Sequence, residues 1–119
     1  MAKSTPNGQT LLVGSSGTLA INPWLYKNVG FDPIKDFTLV SQLALTQTVL
    51  VVHPSLPAKN VRELIALAKA RPGQLTAGTA GGNSAFLAVE MLKTMANIDV
   101  VNIPYKGAGQ ALNDTVAGH

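Results

Sequence analysis

Apolar residues along this chain come in short blocks bounded by Gly, Pro or Asn. After the turn signal Pro6-Asn7-Gly8, the run Thr10-Leu11-Leu12-Val13 has the pattern of a strand covered on both faces, as in a parallel sheet. It gives way to Gly14-Ser15-Ser16-Gly17-Thr18, and a helical piece is predicted over Leu19 to Tyr26, with Asn22-Pro23 inside it. Gly30-Phe31-Asp32-Pro33 reads as a turn. Phe37 to Ala44 then reads as a strand and Thr48 to His53 as a second extended stretch, broken by Pro54-Ser55-Leu56-Pro57.

From here the period changes. Asn60-Val61-Arg62-Glu63 has the form of a capping box, with Asn60 as N-cap and Glu63 reaching back. Val61, Leu64, Ile65 and Ala68 follow at helical spacing on one face. Lys69 and Arg71 suit a helix C-terminus, and Arg71-Pro72-Gly73 ends it. Leu75 to Ala77 is a short predicted strand. Phe86, Leu87, Met91, Leu92 and Met95 mark a second helix, Val100 to Ile103 another strand, and a last helix starts near Gly109 with Leu112 and Val116 on it. Strand and helix alternate from residue 48 onward, which predicts an α/β fold with a parallel sheet and flanking helices. The pattern opens just ahead of a strand and stops directly after a helix, so both ends are expected to be edges of a larger fold.

Composition narrows the function classes. The chain has 119 residues, 46% hydrophobic and 13% charged, which is too apolar for a disordered chain. The net charge of +3 comes from Lys and Arg spread between Lys3 and Lys106 without a run. That is a mild bias towards anions rather than the footprint of a nucleic-acid binder. Cysteine is absent, which excludes disulfides and Cys-based metal sites. The polar start Met1–Gly8 lacks the basic head and apolar core of an export signal, and no run approaches a membrane span. Expressed as it stands, the chain would stay in the cytoplasm.

Two segments share one design. Thr10–Thr18 and Leu75–Ser84 each read as strand, small-residue loop and helix start. The second loop is Gly78-Thr79-Ala80-Gly81-Gly82-Asn83-Ser84. A helix N-terminus carries unpaired N–H groups and partial positive charge, and small residues let an anion approach them. Glycine-rich turns also serve simply to join strands to helices, and the pattern alone leaves both readings open. Neither loop has the G-x-G-x-x-G spacing of a dinucleotide site or the Gly-Lys-Ser/Thr of a P-loop.

Catalytic groupings are sparse. Gly14-Ser15-Ser16-Gly17 is not a nucleophile elbow, and neither serine has an evident base and acid, so a hydrolase ranks last. His53 beside Pro54 reads as a strand-end residue, and His53 and His119 do not form a metal-ligand spacing. Asp32, Asp36, Asp99 and Asp114 are scattered, most simply solvated or capping. Trp24 and Tyr26 are expected to pack rather than stack on a ligand. Tyr105-Lys106-Gly107 could set a ring and an ammonium at a strand end, or be an ordinary exposed turn.

Three stretches together, GSSGTLAINPWLYKNVGFDPIKDFTLVSQLA, VLVVHPSLPAKNVRELIALAKARPGQL and IPYKGAGQALNDTVAG, resemble the substrate-binding proteins of tripartite tricarboxylate transporters, the Bug family of extracytoplasmic solute receptors. The resemblance runs over essentially the whole chain. It implies part of a periplasmic-binding-protein type II-like fold split over two lobes, residues 1–46 in the first and 47–119 in the second. It also implies a periplasmic receptor that binds a small carboxylate, passes it to membrane transporter subunits, does no chemistry and needs no cofactor. Residue by residue, it implies Ser15, Ser16, Gly17 and Thr18 as the first lobe's ligand loop, and Thr79, Ala80, Asn83 and Ser84 in the second lobe's loop. Tyr105, Lys106 and Gly107 would border the cleft, and Ala44 to Val52 would cross between lobes. The chain departs from the family in lacking the export signal, the first strand with its ligand loop and the later strands. Its Gly78–Ser84 loop is one residue shorter than usual, and Phe86 stands where members commonly have histidine. The alternative expectation is a non-binding structural fragment that forms a homo-oligomer by exchanging strands or segments.

Overall fold

The computed structural model describes residues 4–80 and 83–118; Gly81 and Gly82 of the second small-residue loop, and His119, lie outside the described residues. The chain divides into two compact units, Met1–Gln47 and Thr48–His119.

In the first unit a single π-helical turn, Gly17–Ile21, runs directly into helix α1, Asn22–Leu25. This is the helical piece expected from Leu19, begun earlier. Pro23 falls in the first turn of α1, at the junction with the π-helical turn. Leu19 lies over Gly14 so closely that a Cβ at Gly14 would come within 2.6 Å of its Cδ1. The expected turn after Gly30 closes on itself. Asp32 Oδ1 accepts from the N–H groups of Ile34 (2.9 Å) and Lys35 (3.1 Å), while Asp36 Oδ2 accepts from the Asp32 N–H at 2.7 Å. The turn brings Phe31 and Phe37 edge to face at 5.7 Å.

The second unit follows the helix-strand alternation. Helix α2, Val61–Ala70, begins at the expected capping box: Asn60 Oδ1 accepts from the Glu63 N–H at 3.0 Å. Glu63 reaches back one residue further than the usual box, since its Oε2 accepts from the Lys59 N–H at 2.7 Å. The helix ends at Arg71, and Gly73 takes a φ of +70°, donating its N–H to the Asp99 carbonyl. Strand β1, Thr76–Ala80, and strand β2, Val101–Tyr105, pair in parallel with Thr76 opposite Val101 and Ala80 opposite Tyr105. Helix α3, Ser84–Ala96, connects them and ends at Asn97 in the left-handed conformation. Helix α4, Ala108–Ala117, follows β2 and packs on both strands, while α3 packs on β1. The buried apolar residues are small, Ala58, Ala68 and Ala111, joined by Ile98.

Several sequence expectations are corrected. Thr10–Val13, Phe37–Ala44 and Thr48–His53 belong to no ladder among the described residues. Their apolar side chains, including Leu11, Val13, Leu39, Val40 and Val49, are exposed. An apolar run expresses a preference for burial, but a strand exists only where a second backbone completes its hydrogen bonds. In the other direction, β1 continues through Gly78, Thr79 and Ala80, which the sequence reading assigned to the loop. Trp24 and Tyr26, expected to pack, are exposed.

Candidate functional site

The parallel pair sets the geometry. Each strand is followed in the chain by a helix, α3 after β1 and α4 after β2, so both helix N-termini come after the carboxyl ends of a parallel pair, Ala80 and Tyr105. In α/β folds this carboxyl edge is where ligands gather.

At the α3 end, Asn83 is the N-cap and its Oδ1 accepts from the Phe86 N–H at 3.1 Å. Ser84 is exposed, and its hydroxyl lies 3.5 Å from that of Thr48. Nothing in the sequence pairs Thr48 with this helix, because the two are brought together only by the fold. Thr79 points the other way. Its side chain is 3% exposed, and its hydroxyl donates to Asn102 Oδ1 at 2.8 Å. Asn102 Nδ2 reaches Glu90 Oε1 at 3.4 Å, and Glu90 is paired with Lys93 at 3.1 Å. The bond from Lys93, then that from Asn102, holds the Glu90 carboxyl below its ordinary value. Ala80, half-buried, ends β1.

At the α4 end, Gly107 is the N-cap and offers no side-chain acceptor to the first amides. Lys106, immediately before it, is exposed, with no ion pair among the described residues. Tyr105 is half-buried and its Oη donates to Asp114 Oδ2 at 2.8 Å; that bond, helped by burial and by the negative charge, pushes the phenol up from its ordinary value. Asp114 therefore serves a partner that sequence spacing did not suggest.

The remaining expected residues form their own group in the first unit. Ser15 Oγ accepts from the Thr18 N–H and lies 3.3 Å from the Thr18 hydroxyl, while the Ser15 carbonyl accepts from Leu19. Ser16 is exposed in helical conformation, and Gly17 is buried.

Other features carry less chemistry. His53 Nδ1 lies 3.2 Å from the Ser55 backbone nitrogen and 2.7 Å from the Ser55 hydroxyl, so the imidazole organises its own turn. Two shallow depressions in the second unit are lined by residues of the His53–Lys59 turn and by Leu112, Thr115 and Val116; neither is lined by an expected ligand residue. Among the described residues no cluster of three or more His, Cys, Asp or Glu could hold a metal ion, and no helix is long and apolar enough to cross a membrane.

Helix starts at the carboxyl edge of parallel strands are a general feature of α/β folds, and likeness to known proteins says which of these folds this one is. Residues 1–119 match the family described as "Tripartite tricarboxylate transporter family receptor" (TctC), and the chain belongs to that family. A UPF0065 protein of Bordetella pertussis is 37% identical over 113 residues, covering 94% of this chain and 35% of the relative. Protein BugT of Bordetella pertussis is 36% identical over 119 residues, 98% of this chain and 36% of BugT. An R. palustris protein solved with adipate superposes with a TM-score of 0.91 at 36% identity, covering 98% of this chain and 40% of that one. A periplasmic transporter structure gives 0.90 at 37% identity with the same coverage. The fold is thus part of that of the periplasmic receptors, and the chain spans well under half the length of these relatives.

Proposed function

We propose that this chain is part of a periplasmic solute receptor that grips a small carboxylate and delivers it to membrane transporter subunits, without altering the ligand chemically. Membership in the receptor family supports the class, and the adipate in the R. palustris relative supports a carboxylate. The observation that carries the reading is the delivery of two helix N-termini to one edge of a parallel pair, with Lys106 beside the uncapped start of α4. Partial positive charge and unpaired N–H groups at such an edge favour a carboxylate.

In this reading Ser15, Ser16, Gly17 and Thr18 form the first lobe's ligand loop, and residues 1–46 and 47–119 are its two lobes. Asn83 and Ser84 present the start of α3, with Thr79 and Ala80 supporting it from β1. Tyr105, Lys106 and Gly107 border the cleft. Calorimetry of the chain against adipate and a panel of other mono-, di- and tricarboxylates tests this. Weak binding is expected, reduced by Lys106→Ala. No binding across the panel overturns the reading.

A second reading, a fragment that binds nothing and oligomerises by segment exchange, is favoured by Leu87, Met91 and Met95, exposed at four-residue spacing along α3. Light scattering separates the two: a stable monomer that binds carboxylate rules it out.

A further inference from the structure

Asp114 lies on the face of α4 that meets the sheet. Ala111, on the same face, is buried, and Asp114 and Thr115 beside it are half-buried. The Asp114 carboxylate is thus only partly open to water. Its partner is the Tyr105 hydroxyl, at the last position of β2.

The ring of Tyr105 is seated by a second contact. A Cβ at Gly78 would stand 3.0 Å from Tyr105 Cε2 and 3.1 Å from Ala111 Cβ. The bare backbone of β1 therefore makes room for the ring beside α4. Between Tyr105 and Asp114 lie only Lys106, the N-cap Gly107 and the first turns of α4. The helix start has no side-chain cap of its own. Asp114 stands about 9 Å down the axis from Ala108, so a bond from the strand end to that depth fixes how the helix start meets β2.

We propose that Asp114 is a positioning residue: by holding the Tyr105 hydroxyl it sets the orientation of Lys106, Gly107 and the first amides of α4 for a ligand carboxylate. This rests on the receptor reading above. The latch separates the two negative charges as well, because Asp114 faces Tyr105 some two turns from the helix start where the ligand would bind.

The experiment uses the full chain with adipate as probe, followed by amide NMR. Asp114→Ala and Tyr105→Phe are each expected to shift the amides of Lys106, Gly107 and Ala108 and to weaken adipate binding by about tenfold, the scale of one hydrogen bond to a charged group. The double variant should be no weaker than either single one, since both remove the same bond. Asp114→Asn, which still offers an acceptor, should restore most of the affinity. In Asp114→Ala the raised ionisation of Tyr105, followed by its ultraviolet tyrosinate band, should return towards the ordinary phenol range. Unmoved amides at residues 106–108, or an affinity unchanged by Asp114→Ala, overturn the latch. Failure of the wild-type chain to bind adipate while those amides do shift overturns instead the receptor reading, and the proposal with it.

Discussion

The Thr79 hydroxyl donates to Asn102 Oδ1 at 2.8 Å, diagonally across the β1–β2 pair, in which Ala77 stands opposite Asn102. A side chain that would serve a ligand on the strength of its place in a small-residue loop is thereby committed to joining two strands. Thr79→Val keeps the shape and removes the donor, leaving Asn102 short of a partner in a part-buried setting. The expected loss is about 1–2 kcal/mol of stability, read from urea unfolding, with Thr79→Ser retaining most of it. A variant as stable as the wild type would show that the bond contributes nothing net.

Gly78→Ala is a test of the close approach between β1 and Tyr105. The new methyl would stand 3.0 Å from the ring, so the ring or α4 must shift. The displacement required is a few tenths of an ångström, and a cost of about 1 kcal/mol is expected, the low end of the range for overpacking, with the Tyr105–Asp114 bond strained; urea unfolding measures the cost. A variant as stable as the wild type would contradict the expectation.

Asn60→Ala should destabilise α2 by about 1 kcal/mol, since the Asn60 side chain satisfies the Glu63 amide and positions the Glu63 carboxylate. Hydrogen exchange at the first amides of α2 reads the effect locally; unchanged exchange there would count against the capping role.

Two groups give opposite pH signatures. Asp32 is held below its ordinary value chiefly by the backbone N–H groups of Ile34 and Lys35. A lowered native value means that the unfolded chain takes up its proton first as pH falls. The turn's contribution is therefore complete above the ordinary carboxylate range and is lost as pH drops through the native value. Tyr105 is raised, so its contribution is complete below the ordinary phenol range and is lost as pH climbs through the native value. NMR titration of the Ile34 amide and ultraviolet titration of Tyr105 follow the two separately. An Ile34 amide that does not move through the acid range would refute the first.

Legibility in the sequence tracked how local the determining interactions are. Helix α2 could be read almost whole, because its cap, its apolar face and its Gly73 stop all lie within one stretch. The start of α4 and the turn after Gly30 were similarly plain. The β1 strand was read short because Gly78, Thr79 and Ala80 look like loop residues; they pair only because β2 lies alongside. Thr10–Val13 and Phe37–Ala44 erred the other way, since their apolar pattern carries no information about a partner strand. Of the site, the strand-end position of Tyr105 was legible, but its bond to Asp114 was not: it depends on a ring approach that a glycine in another strand permits.

The turn closed by Asp32 and Asp36 bears on the order in which this chain acquires structure. Its bonds span four residues or fewer, so little loop entropy opposes them, and closures of this size belong to the fastest events in folding. Pairing of β1 with β2 must instead await the intervening α3, and non-local contacts of that kind form slowly. The Phe31–Phe37 clasp should therefore be in place before the sheet edge exists, giving the first unit a seed that owes nothing to the second.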